Sequence, residues 1–132
     1  MNKFQKRILK AHQPANNALV VGTGFGQLEQ ISAVFNSVFV VDFEPPAVKC
    51  KNIIFREGSS PLDPLTDITA TFVDLNHINT LEKIKNVLSK HRPAIFIEGN
   101  EIINRDLSLE IWNLGYRPLE QQGLFHTWKK IK

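Results

Sequence analysis

Three glycines in alternation, Gly22-Thr23-Gly24-Phe25-Gly26, follow one apolar run, and two carboxylates, Asp42 and Glu44, close the next. Where a chain must turn sharply from strand to helix, removing three Cβ atoms lets the backbone approach a ligand closely. Asp42 lies twenty residues past Gly22, the distance at which a carboxylate ending the second strand of a βαβ unit accepts hydrogen bonds from both hydroxyls of a ribose. The chemistry these residues suit is nucleoside binding, and a glycine-rich turn without a ligand is the alternative. The dinucleotide fingerprint needs a small residue three places after its second glycine. Gln27 stands there, and the third glycine falls at Gly26 instead, so the loop need not cradle a pyrophosphate.

A second group of polar residues follows another apolar run. Asp74, Leu75, Asn76 and His77 come after Ile68 to Val73, and Glu98 ends the run Ala94 to Ile97. Open α/β sheets place ligands at the carboxyl ends of their strands. Imidazole has an ordinary pKa of about 6.5, so His77 is a candidate general base, with a solvated loop histidine as the alternative.

The elements that must position these groups are read from periodicity. Ala18 to Val21, Val38 to Val41, Asn52 to Phe55, Ile68 to Val73 and Ala94 to Glu98 are short, near-continuous apolar runs, as expected of parallel strands covered on both faces. Leu28, Ile31, Val34 and Phe35 recur at helical spacing, as do Leu81, Ile84 and Leu88, then Leu107, Ile111 and Leu114. Asn79 with Glu82 pairs as an N-cap, Asp106 caps the last helix, and Gly115 stops it. Arg56-Glu57-Gly58-Ser59-Ser60-Pro61 reads as a turn. Tyr116 to Glu120 and Leu124 to Ile131 read as a hairpin. Residues 1–14 form a separate basic segment: Phe4, Ile8 and Leu9 make a narrow apolar stripe against four basic residues, a helix expected to dock on the sheet edge. The aromatic residues Trp112, Phe125 and Trp128 are expected in the hairpin core, with a dimer face as the alternative.

Composition bounds the function classes. With 132 residues the chain makes one core of useful size, and its single cysteine, Cys50, allows no intrachain disulfide and no zinc pattern. No apolar run approaches the ~20 residues of a membrane span, and a soluble, cytoplasmic protein is expected. The net charge is +3, yet seven of the sixteen basic residues occupy the first ten and last four positions. Between those ends nine basic residues face all thirteen acidic ones, so the body carries −4. Aromatic residues of the kind that stack on bases are sparse at the basic ends, which argues against a nucleic-acid partner. A small-molecule substrate and a homo-oligomer are the expected associations, and no metal site is expected.

The alternating glycines resemble the first motif of class I S-adenosylmethionine-dependent methyltransferases. Phe43-Glu44-Pro45, Pro61-Leu62-Asp63-Pro64-Leu65, Arg92-Pro93-Ala94-Ile95-Phe96-Ile97-Glu98 and Leu114-Gly115-Tyr116-Arg117 are similar, in order and spacing, to successive blocks of the FkbM-type branch over residues 18–121. The resemblance implies a Rossmann-like α/β domain over residues 15–132, three-layered, its mostly parallel sheet ending in an antiparallel hairpin. It implies S-adenosylmethionine as cofactor, held by Gly22, Thr23, Gly24, Phe25 and Gly26, with Glu44 or Asp42 on the ribose and Glu57, Gly58 and Ser59 near the adenine. It implies methyl transfer to a hydroxyl of a sugar or small metabolite, with Asp74 or His77 as base. The chain departs from the pattern at Val20, where the fold usually has an acidic residue for the methionine amino group, and at Phe72, where the branch has lysine. Asn76 and His77 replace its glutamate and glycine. Those departures give the alternative function, a non-catalytic nucleoside-binding or interaction module.

Overall fold

The computed structural model of the chain describes residues 5–6, 16–21, 28–42, 45–57, 67–74, 88, 90–91, 93–98, 109, 111–122 and 125–130. Seven strands form one sheet: β1 (Asn17–Val21), β2 (Ser37–Asp42), β3 (Ile53–Glu57), β4 (Ile68–Asp74), β5 (Ala94–Glu98), β6 (Tyr116–Gln122) and β7 (Phe125–Lys130), with the helix α1 (Leu28–Val34) between β1 and β2. The strand order is β3-β2-β1-β4-β5-β7-β6. The first five strands are parallel, and β7 inserts antiparallel between β5 and β6. The architecture is therefore the expected α/β sheet with a C-terminal hairpin.

Apolar runs become central strands because both faces are covered, so no residue in them needs to be polar. Ala18, Val20, Val38, Val40, Ala70, Phe72, Ala94 and Phe96 share one face with Leu28, Ile31 and Phe35 of the α1 region. Leu19, Val21, Phe39, Val41, Val73 and Ile95 share the other with Leu88, Ile111 and Tyr116. Leu88 and Ile111 are helical, so helix, sheet and helix make three layers. At the centre of the α1 face Phe72 stacks on Phe96 with centroids 4.7 Å apart and meets the edge of Phe35 at 6.1 Å.

Local polar contacts set the register. β1 pairs with β4 through a shift between Asn17 and Ala18, which leaves Thr69 as an extra residue. The Asn16 N–H donates to the Thr69 hydroxyl at 3.1 Å, and the hydroxyl donates to the Asn17 carbonyl at 3.4 Å. Past this bulge Val21 lies level with Val73 on one side and Val41 on the other. The α1 exit is closed by Asn52, whose amide donates to the Ser32 and Phe35 carbonyls at 2.7 and 3.0 Å. Gly115 has φ of 95°, the left-handed conformation that ends a helix, and its N–H donates to the Trp112 carbonyl.

Three local expectations are corrected. Arg56 and Glu57, read as a turn, continue β3 because they pair in register with Val41 and Asp42. Trp112 is not a core residue: it is 46% exposed, with the Arg117 guanidinium 3.6 Å above its ring. The N-terminal segment meets the helical layer, not the sheet edge, where it is described. Gln5 is helical and its amide donates to the Gln30 carbonyl of α1 at 3.1 Å. The Phe125 and Trp128 backbones lie in β7, and the helix-capping pairs at Asn79 and Asp106 fall outside the described residues.

Candidate functional site

The carboxyl edge of the sheet carries a row of acids. β2, β3, β4 and β5 end in Asp42, Glu57, Asp74 and Glu98 respectively. Asp42 is the register partner of Glu57, and Asp74 that of Glu98. Val41, Val21 and Val73 form the preceding row, so Asp42 and Asp74 are each one residue beyond the last paired position of β1. The acids therefore stand at one level across the sheet, two on either side of β1. With strands about 4.8 Å apart, Asp42 and Asp74 flank β1 at roughly 10 Å from each other, and the row from Glu57 to Glu98 spans roughly 19 Å.

Between the two pairs lies the exit of β1. Only six residues connect Val21 to Leu28, the first residue of α1, and they include the whole glycine alternation. The sheet order reverses here: β2 and β3 build outward from one side of β1, β4 and β5 from the other. This is a topological switch point, the place where open α/β sheets bind ligands. The sequence thus delivers its glycine-rich connection to the centre of the sheet's carboxyl edge and an acid to each neighbouring strand end.

Of the residues singled out in the sequence, Asp42 ends β2 half-buried and Asp74 ends β4. Gly22, Thr23, Gly24, Phe25, Gly26, Glu44, Gly58, Ser59 and His77 lie outside the described residues, as does Asn76. Glu57, expected in a loop, is a strand-end acid level with Asp42. The signal that could have found it is the alternation Ile53, Phe55, Glu57, which gives all three the same pleat parity as Val38, Val40 and Asp42. The neighbouring Arg56 turns to the other face, where its guanidinium lies 5.8 Å from the Phe39 ring.

Two of the four departures from the methyltransferase pattern lie in the core. Val20 and Phe72 are register partners, both fully buried in the apolar layer under α1. A carboxylate at the first or an ammonium at the second would face Phe35 and Phe96 in that layer, and an unpaired charge there costs several kcal/mol. Among the described residues no group of histidine, cysteine and acidic side chains could hold a metal ion, and no helix is long and apolar enough to cross a membrane.

No protein-family profile and no curated protein matches the sequence. Solved structures do match. A precorrin 8w decarboxylase from Methanobacterium thermoautotrophicum is 17% identical, with 98% of this chain and 90% of that one covered and a TM-score of 0.66. A precorrin-6y C5,15-methyltransferase from Geobacter metallireducens is 14% identical over 97% of this chain and 87% of that one, with a TM-score of 0.67. The N-methyltransferase NodS from Bradyrhizobium japonicum, in complex with S-adenosyl-L-homocysteine, is 12% identical over 98% and 87%, with a TM-score of 0.59. The activities named for these three proteins differ, so their likeness carries no substrate. It carries the architecture, and nearly the whole of this chain is folded as class I S-adenosylmethionine-dependent methyltransferases are.

Proposed function

We propose that the chain binds S-adenosylmethionine over the carboxyl end of β1 and directs its methyl group to a hydroxyl of a sugar or other small metabolite. The observation that carries this reading is the row of strand-end acids on both sides of the glycine turn at the switch point. In it Gly22 to Gly26 let the backbone approach the ligand, Thr23 and Phe25 line the loop, Asp42 or Glu44 accepts from the ribose hydroxyls, and Gly58 and Ser59 border the adenine. The cofactor supplies a methyl carbon already activated by the positive sulfonium. What remains for the chain is orientation and removal of one proton from the acceptor hydroxyl, by Asp74 or His77. An edge with acids on four strand ends also favours a cationic cofactor over a pyrophosphate-bearing one.

A second reading, binding without turnover, is supported by Val20. Without an acid at that position the methionine ammonium lacks a charge-assisted partner worth roughly 1.5–3 kcal/mol, about ten- to a hundredfold in affinity. Calorimetric titration with S-adenosylmethionine and S-adenosylhomocysteine separates the readings. Binding that weakens tenfold or more in Asp42→Ala or Glu44→Ala supports the nucleoside site. Methyl transfer to hydroxylated acceptors, lost in Asp74→Asn or His77→Ala while binding persists, supports catalysis. Binding with no transfer to any acceptor supports the module, and no heat at millimolar ligand overturns both.

A further inference from the structure

The two ends of the sheet carry opposite charge. Acids close β2, β3, β4 and β5 at the carboxyl edge, and cations gather at the amino edge, where β5 and β6 begin and β7 ends. Lys90 is exposed and helical, four residues before β5 starts at Ala94. Lys129 and Lys130 close β7, and Arg117 is the second residue of β6. Their backbones come together because β7 runs antiparallel to both of its neighbours. Arg117 is the register partner of Lys129, and Tyr116 that of Lys130. The Tyr116 hydroxyl donates to the Pro93 carbonyl at 2.7 Å, which ties the start of β6 to the start of β5 across the end of β7. With strands about 4.8 Å apart, these three strand ends span roughly 10 Å.

No acidic residue lies among the described residues at the starts of β5 and β6 or at the end of β7. Arg117 and Lys129 stand directly opposite each other in their ladder, and like charges so placed destabilise it. A bound anion would offset that cost. Arg117 is also fixed in place. Its guanidinium lies 3.6 Å above the Trp112 ring and donates to the Trp112 and Tyr116 carbonyls at 3.1 and 2.7 Å. Trp112 is itself exposed, in the helical turn that precedes β6. The corner therefore holds a flat, pre-ordered stack of indole and guanidinium beside a row of cations. Unstacked nucleobases settle on aromatic and guanidinium planes, and neighbouring cations follow the phosphates. The basic chain ends carry few aromatic residues of their own, and the fold supplies Trp112 from elsewhere in the sequence.

We infer that this corner of the amino edge binds single-stranded nucleic acid, with one base stacked on the pair of Trp112 and Arg117 and the adjoining phosphates at Lys90, Lys129 and Lys130. The fixed planar stack decides the occupant. A lipid headgroup or an acidic side chain answers the charges alone, and a duplex keeps the faces of its bases to itself. An unpaired base with its phosphates matches both features. The surface is separate from the acidic row, since β5 runs five residues from Ala94 to Glu98, about 13 Å at ~3.3 Å per residue. Acids at the far end repel a polyanion while cations at this end attract it, so the charge distribution orients the oligonucleotide away from the candidate cofactor site. The inference stands whether or not a cofactor binds at the other edge.

The test uses the full chain and the fluorescence anisotropy of labelled single-stranded RNA and DNA of about eight nucleotides, a length that one small domain covers. Micromolar binding of either at low salt is expected. It should weaken with salt at a log–log slope of about −2, three phosphate contacts at about −0.7 each. Trp112→Ala removes an exposed ring, so it should fold, by far-UV circular dichroism, and weaken binding about tenfold with the salt slope unchanged. Trp112→Phe should recover most of that loss. Lys129→Glu with Lys130→Glu should weaken binding at least tenfold and bring the slope to about −0.7. Lys129→Glu alone keeps the inference falsifiable should the double variant misfold. It sets an acid opposite Arg117, so Tm should rise while affinity falls. S-adenosylhomocysteine should leave the oligonucleotide affinity unchanged. No binding of either single strand at high micromolar protein overturns the inference. So does binding undiminished by Trp112→Ala, equal binding of a duplex, tighter binding of phosphatidylserine vesicles, or competition by S-adenosylhomocysteine.

Discussion

Two threonines, two positions apart on β4, show how context decides what a hydroxyl is worth. Thr69 sits in the bulge and its hydroxyl both accepts and donates, tying the start of β1 to β4. Thr71 is fully buried between the register partners Leu19 and Ile95, and its hydroxyl has no hydrogen-bond partner among the described residues. A buried polar group without a partner bears its desolvation cost with nothing to offset it, about 1–3 kcal/mol. Thr71→Val is therefore expected to leave stability unchanged or raise it by about 1 kcal/mol, since the shape is kept and the orphan oxygen removed. Thr69→Val is expected to lower stability by about 1 kcal/mol, because the Asn16 N–H loses its acceptor. Urea unfolding of both variants reads the difference as opposite displacements of the midpoint at a common slope. Equal losses would mean that the Thr71 hydroxyl is satisfied in solution.

Elements were legible in the sequence wherever burial on both faces left no choice of residue type. β1, β2, β4 and β5 are near-continuous apolar runs, and their ends fall within one residue of the change in composition. Legibility failed where an element lacks that double cover. β3 reads as ending at Phe55 because Arg56 and Glu57 look like loop residues, yet the ladder to Val41 and Asp42 keeps them extended. Trp112 reads as core by type, but Arg117 covers its ring at the surface, with a second hold on the Trp112 carbonyl at 3.1 Å. Of the candidate site, Asp42, Asp74 and Glu98 were legible as strand-end acids because each closes an apolar run, whereas Glu57 was not. Their common level was not, since register depends on the Thr69 bulge and no local signal announces it. Asn52 shows the same limit, a loop residue by sequence that joins two elements in space. Its amide closes the carbonyls at the end of α1 while its own carbonyl begins the β2–β3 ladder. Asn52→Ala is expected to cost about 1–2 kcal/mol, two side-chain hydrogen bonds at about 1 kcal/mol each or slightly less. It should also speed hydrogen exchange in the last turn of α1 before the rest of the sheet responds. Exchange that rises uniformly across the sheet would instead make Asn52 part of the global unit.

At the scale of the whole molecule the proposed nucleoside site acts on stability through mass action, and thermal unfolding reads it. Anything that binds only the folded state stabilises it by mass action, so a cofactor at a hundred times its dissociation constant adds about 2.7 kcal/mol. For a chain of this length that is a rise in Tm of roughly 10 °C at fixed protein concentration. Asp42→Ala should shrink that rise, because Asp42 ends β2 beside the exit of β1, whereas Thr71→Val should move Tm equally with and without the ligand. No rise with S-adenosylhomocysteine in the wild type would leave the sheet standing and remove the nucleoside site.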